Sequence, residues 1–324
     1  MSTDEPVVLL LTDPALAAHA WPGHPERPER IETVLAGVAA GAQAAGARLV
    51  QRSAPPATLD TLTRVHDAAY LEWLVARAAT GGGWLDPDTY LVEATPTAAR
   101  LAAGLAAAAA EAVVAGDADV AFAAVRPPGH HAHRDRGKGF CVLNNVAVAA
   151  AWVQASGAAR RVAILDWDVH HGDGTQALVE ADSNVFYAST HQYPWYPGTG
   201  SASERTDTLL NVPLPAGSGD EAFVAAWRDT IIPAVEAFAP AAILVSAGFD
   251  AHLDDPLAGL MVTSKGFRAV ALEVGMLARR MGLRGVALTL EGGYDRDALR
   301  ASAAATIEGL LAGLWPAPTR DSRM

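Results

Sequence analysis

Short apolar runs alternate with longer helix-forming windows along most of this chain, and that alternation restricts the fold more than any other feature. The runs are Val7–Leu11, Val120–Val125, Val162–Leu165, Val185–Ala188, Ala242–Val245 and Gly285–Leu290. Between them lie Ala-rich windows at Thr97–Ala115, Asn145–Ser156, Glu221–Phe238 and Gly266–Met281. Ala is the best helix former, and these windows are long enough for several turns. The pattern predicts an α/β fold with a mostly parallel sheet. No repeat and no polar linker divides the 324 residues, so residues 1–324 are expected to form one domain.

Polar clusters follow the apolar runs. His130 and His131 come after Val120–Val125, Asp168 and His170 after Val162–Leu165, Asp250 after Ala242–Val245, and Tyr294 after Gly285–Leu290. Open parallel sheets bind ligands at the carboxyl ends of their strands. Four distant segments are therefore expected to meet in one pocket.

The stretch ILDWDVHHGDG, Ile164–Gly174, carries the strongest chemistry. In extended backbone Asp166, Asp168 and His170 share one face, with Trp167 and Val169 on the other. Burying two carboxylates and an imidazole together is costly without a partner, and Asp/His ligation is ordinary for zinc. A catalytic zinc takes three protein ligands, and Asp250 is the candidate third. By itself Asp250 reads first as a helix cap or turn residue, and only the other clusters give it weight as a ligand. Gly248 beside it allows close backbone approach. Adjacent His130 and His131 suit proton transfer, metal ligation or an ordinary surface turn. Asp166 and Asp173 are spare carboxylates that could orient them. A phenol at Tyr294 can donate to a carbonyl oxygen that gains negative charge, although packing alone also explains a Tyr there.

Composition removes other classes. The net charge of −12 argues against nucleic-acid partners; it serves solubility or attracts cationic substrates. One cysteine excludes an internal disulfide and a thiolate zinc knuckle, and fits a reducing cytoplasm. Cys141, within GFCVLNN, reads as a core thiol. The acidic start MSTDEP argues against a signal peptide, and the Ala-rich stretches make no convincing membrane span. Nucleophile-elbow, phosphate-loop and H-E-x-x-H signatures are absent.

Seven motifs together resemble the histone deacetylase superfamily, most of all its class II members and their bacterial relatives. They are HPERPER (His24–Arg30), RPPGHHA (Arg126–Ala132), GFCVLNNVAVAA (Gly139–Ala150), DWDVHHGDGTQ (Asp166–Gln176), YPGTG (Tyr196–Gly200), GFDAHLDDPLAG (Gly248–Gly259) and EGGY (Glu291–Tyr294). The resemblance implies an arginase–deacetylase fold, a parallel eight-stranded sheet flanked by helices. It implies zinc at Asp168, His170 and Asp250, with His130 paired to Asp166, His131 to Asp173, and Tyr294 facing the substrate carbonyl. It also implies a potassium ion near Asp166, Asp168, His170, Ser189 and Thr190. Phe140 and Tyr196 match channel-lining rings, Gly139 the acceptor of the substrate amide N–H, and Leu257 a position where polyamine-selective relatives carry Glu. The implied reaction is hydrolysis of small-molecule or peptide acyl-amines, acetyl-lysine-type substrates first. An acetylpolyamine amidohydrolase and a catalytically silent acyl-lysine binder are the alternatives. The segment Ala79–Glu93 is expected to rim the pocket, with Asp86 or Asp88 as substrate-backbone contacts. The acyl group and the oligomeric state, a homo-oligomer included, stay open.

Overall fold

Each apolar run becomes a strand whose residues are buried throughout: β1 (Val7–Leu11), β5 (Val120–Ala123), β6 (Val162–Asp166), β7 (Val185–Gln192), β9 (Ala242–Ala247) and β10 (Val286–Leu290). The structure, a computed structural model, describes residues 5–316. Two edge strands, β2 (Arg48–Arg52) and β8 (Leu209–Leu214), complete an eight-stranded sheet in the order β2-β1-β5-β10-β9-β6-β7-β8. Every neighbouring pair is parallel. Sequence periodicity missed both edges for a physical reason. β2 is poorly covered and reads RLVQR with only Val50 partly shielded, whereas β8, LLNVPL, is mostly buried but has its apolar run broken by Asn211 and Pro213. A two-stranded antiparallel hairpin, β3 (Gly83–Trp84) and β4 (Tyr90–Leu91), lies within segment 79–93, where only a loop was expected.

Strand alternation divides the core into two layers. Val8, Leu10, Phe122, Leu165 and Val245 face helices Glu29–Ala44, Ser264–Arg280 and Arg296–Leu314. Leu9, Leu11, Ala121, Ile164 and Leu244 face helices Thr95–Ala115 and Asn145–Ala155. Thr95–Ala115 is long and apolar enough to cross a membrane by composition, yet 72% of its apolar window is buried inside the protein. Its small side chains serve close packing on the sheet.

The window read as one helix over 221–238 is interrupted. A π turn at Trp227–Ile231 joins helix Asp220–Ala226 to helix Ile232–Phe238. Pro233 has no N–H to donate to the carbonyl four residues back, so the backbone widens there instead of breaking.

A candidate metal centre at the strand ends

The middle strands β5, β10, β9 and β6 are neighbours, so the segments leaving their carboxyl ends converge. After β6 ends at Asp166, Trp167 and Val169 turn into the core. Asp168 and His170 therefore face the opposite way, and the alternation expected from sequence persists past the strand. Donor atoms of Asp168, His170 and Asp250 lie within 4.8 Å of one another. Val169 N–H donates to Asp250 Oδ1 at 2.9 Å, and Gly292 N–H to Asp168 Oδ2 at 2.8 Å. His170 Nδ1 stands 3.1 Å from Asp168 Oδ1 and 3.2 Å from Asp250 Oδ2. The hydrogen-bond geometry is met towards Asp168 only, leaving Asp250 Oδ2 buried without a hydrogen bond.

This donor set fits a divalent ion. An unsatisfied buried carboxylate oxygen is expensive, and two such carboxylates attract positive charge of any kind. Burial opposes a proton on His170, but the carboxylates of Asp168 and Asp250 outweigh it and raise the imidazole to about 10. Glycines create the space: a Cβ at Gly248 would strike the Asp168 carboxylate, and one at Gly292 the Asp250 carboxylate.

Beside this cluster stand the two imidazole–carboxylate pairs expected from sequence. His130 Nδ1 lies 3.1 Å from Asp166 Oδ2, and His131 Nδ1 lies 2.7 Å from Asp173 Oδ1. The two rings are 4.1 Å apart. Their environments push them in opposite directions. Burial lowers both, but the charges of Asp168 and Asp166 carry His130 well above its ordinary value. Burial, reinforced by the neighbouring His130 charge, takes His131 down to about 3 despite Asp173. Asp173 in turn accepts from His133 Nε2 at 2.9 Å and Lys138 Nζ at 2.8 Å. Burial would raise Asp173, yet the bonds from His131, His133 and Lys138 hold it far below the usual carboxylate range.

A cavity of about 230 Å³ opens onto these groups. Phe140, Tyr196, Leu257, Gly139 and Tyr294 all line it, as expected, and Asp88 and Trp195 join them. Phe140 occupies the left-handed region at φ 69°, a conformation that typically costs a non-Gly residue about 1–3 kcal/mol. Its N–H is held by Thr89 Oγ1 at 2.8 Å, and Gly139 N–H by Asp86 Oδ2 at 2.9 Å. The hairpin thus fixes the channel wall: Asp86 braces it through Gly139, while Asp88 faces the cavity. Tyr294 packs edge-on against Phe140 at 5.6 Å, and burial drives its phenol well above its ordinary value. Cys141 is fully buried in the core as expected, yet it also forms part of the cavity wall.

Comparison with known proteins agrees with this arrangement. The histone deacetylase domain matches residues 24–310. The chain belongs to the histone deacetylase family. This deacetylase-family chain is 41% identical over 303 residues to the histone deacetylase-like amidohydrolase of Pseudomonas aeruginosa, covering 92% of itself and 78% of that protein. The crystal structure of the HDA15 HD domain superposes with a TM-score of 0.87 at 36% identity, over 95% of this chain and 90% of that one. An acetylpolyamine aminohydrolase from Burkholderia pseudomallei gives 0.82 at 30% identity, over 94% and 99%. The chain is therefore a hydrolase of the deacetylase and amidohydrolase class.

The deacetylase site also depends on residues that sequence reading quoted within motifs without giving them a task. Glu26 and Arg30 come from HPERPER. Arg126 Nη2 meets Glu26 Oε2 at 2.6 Å, and Arg30 Nε donates to Gly293 O at 2.7 Å, tying the turn at 291–294 to the first long helix. Asp255 Oδ2 accepts the Tyr294 N–H at 2.6 Å and Glu291 Oε2 the Gly129 N–H at 2.6 Å. Fully buried Glu26, Arg30, Arg126 and Glu291 are charged types that sequence alone would place in solvent. Ser189 and Thr190 are buried on β7, Ser189 in register with Asp166. Their hydroxyls bond His191 Nδ1 at 2.9 Å and Trp227 Nε1 at 3.1 Å.

Proposed function

We propose that this chain removes acetyl or other acyl groups from primary amines, with acetyl-lysine-type side chains as its substrates, and that it does so with zinc held by Asp168, His170 and Asp250. One observation carries the reading. A buried two-carboxylate, one-imidazole donor set and two oppositely tuned imidazoles share a single narrow cavity. Zinc there would polarise the amide carbonyl and acidify a water, which suits a base held as low as His131.

The chain's own residues do the rest. His131, kept neutral by burial and the neighbouring His130 charge and oriented by Asp173, takes the water proton as the O–C bond forms, then delivers a proton to the amine nitrogen as the C–N bond breaks. His130 stays charged beside Asp166 and stabilises negative charge on the reacting centre. Tyr294, kept protonated by burial, donates to the oxyanion. Phe140 and Tyr196 enclose the aliphatic chain, and the Gly139 carbonyl accepts the substrate amide N–H. A potassium ion at Asp166, Asp168, His170, Ser189 and Thr190 belongs to the same proposal; the β6–β7 register supports it by bringing Asp166 and Ser189 side by side.

A polyamine substrate is the second reading, favoured by the Asp88 carboxylate in the cavity wall. The test is acetate release by zinc-loaded protein from acetyl-lysine peptides and acetylated polyamines, in parallel, with Tyr294→Phe as the blank. Turnover of the peptides above the blank supports the proposal. Turnover of polyamines alone replaces its substrate class. Binding of acetyl-lysine without acetate release would make the chain a silent binder and overturn it.

A further inference from the structure

We propose that the deacetylase cavity contains a second, inhibitory site for a borderline or soft divalent cation, built from His130, Cys141 and Glu291. The three residues come from separate segments: the turn after β5, the loop before helix Asn145–Ala155, and the end of β10. One donor atom of each lies within 4.8 Å of the others, and all three side chains are buried. An imidazole, a sulfur and a carboxylate form a mixed set that suits zinc or cadmium and does not suit magnesium.

The surroundings already orient the ligands. His130 Nδ1 is tied to Asp166, leaving Nε2, 3.8 Å from Asp168 Oδ1, as the ring nitrogen without a hydrogen bond. A carboxylate on the far nitrogen is the usual support of a metal-binding histidine. Glu291 Oε2 accepts the N–H groups of Gly129 and His130 at 2.6 and 3.1 Å, and Oε1 accepts the Ser246 hydroxyl at 3.2 Å, so the carboxylate is fixed but keeps lone pairs. His130 and Cys141 both line the cavity, which gives an ion a way in and an outer ligand position.

Charge favours occupancy too. Asp166, Asp168, Asp250 and Glu291 are at most 2% exposed, so four carboxyl groups crowd around the two donor sets. On binding, the sulfur–metal bond forms as Cys141 loses its thiol proton to solvent, and His130 gives up its own second proton. The bound ion then occupies His130, which no longer serves the reacting centre. The inhibitory consequence rests on the proposed role of His130; the site itself does not.

The experiment titrates metal-stripped protein with cadmium, following the ultraviolet cadmium–thiolate band and, after gel filtration, bound metal by elemental analysis. Two retained equivalents with a thiolate band are expected in the native protein. One equivalent without the band is expected in Cys141→Ala and in the near-isosteric Cys141→Ser, with circular dichroism confirming that each is folded. A single equivalent in the native protein, or a second equivalent undiminished in both variants, overturns the site. In parallel, acetate release is followed as zinc is added beyond one equivalent. Inhibition should weaken at least tenfold in Cys141→Ser, each protein being compared with its own one-equivalent rate. A cadmium–thiolate band without zinc inhibition would overturn the inhibitory role and retain the site. Absence of acetate release at one equivalent would overturn the proposed reaction, leaving the cadmium result to stand or fall separately.

Discussion

The Gly292 N–H donates to Asp168 Oδ2 at 2.8 Å, and a Cβ on Gly292 would sit 2.7 Å from that same oxygen while striking Asp250. One glycine therefore sets the spacing of both carboxylates in the candidate metal centre. Gly292→Ala should displace them by a substantial fraction of an ångström. A shift of that kind costs about 10²-fold in rate. Turnover should fall by that order and bound zinc should drop below one equivalent by elemental analysis. Native metal content and turnover in this variant would show that the close approach is unimportant.

Tyr294 is backed by Asp255 on its amide and Phe140 on its ring, so removing only the hydroxyl should leave the site assembled. Loss of one oxyanion donor costs about 2.7–4 kcal/mol in the barrier. Tyr294→Phe should lower kcat roughly 10²- to 10³-fold with KM and metal content nearly unchanged. A kcat within twofold of native would remove the phenol from the chemistry.

The pH dependence of stability should report a buried histidine outside the candidate metal centre. Asn144 N–H donates to His66 Nε2 at 2.9 Å, and Nδ1 faces His133 O at 2.9 Å, an arrangement that only the neutral Nδ1–H ring satisfies. Burial lowers this imidazole to about 4. Between its ordinary value and about 4 the unfolded chain holds a proton that the folded chain does not. Stability should therefore fall as pH drops through that window, by about 1.4 kcal/mol per pH unit for this one proton. His66→Gln, whose amide can accept from Asn144 and donate to His133, should flatten the slope by that amount in denaturant titrations. An unchanged slope would show that another group carries it.

Leu257 lies half-buried in the cavity wall, where on the proposed reaction it would face the substrate chain. Leu257→Glu should raise kcat/KM for acetylated polyamines relative to acetyl-lysine peptides by roughly tenfold, the scale of a hydrogen bond to a charged group. An unaltered ratio would place selection at Asp88 or elsewhere on the rim.

The sequence by itself determined much of this protein. Strands covered on both faces are apolar over most of their length, so β1, β5, β6, β9, β10 and the first half of β7 were visible as apolar runs, whereas the buried polar half of β7, Ser189 to Gln192, was not. Local spacing singled out Asp168 and His170 as a pair on one face, while Asp250, His130, His131 and Tyr294 were open readings at strand ends that took their expected roles from the family resemblance. Strands β2 and β8 were not legible, because an edge strand needs no continuous apolar signal. Nor was the grouping of Glu26 with Arg30 and Arg126, of Asp255 with Tyr294, or of Cys141 with His130 and Glu291. These contacts join residues from 4 to more than 150 positions apart, and most of the charged members look solvent-exposed in a one-dimensional reading. Burial and pairing arise only when the sheet brings the strand ends together. The same packing pushes one imidazole up and its neighbour down: Asp168 and Asp166, distant in the chain, raise His130 against its burial, while burial and the His130 charge lower His131.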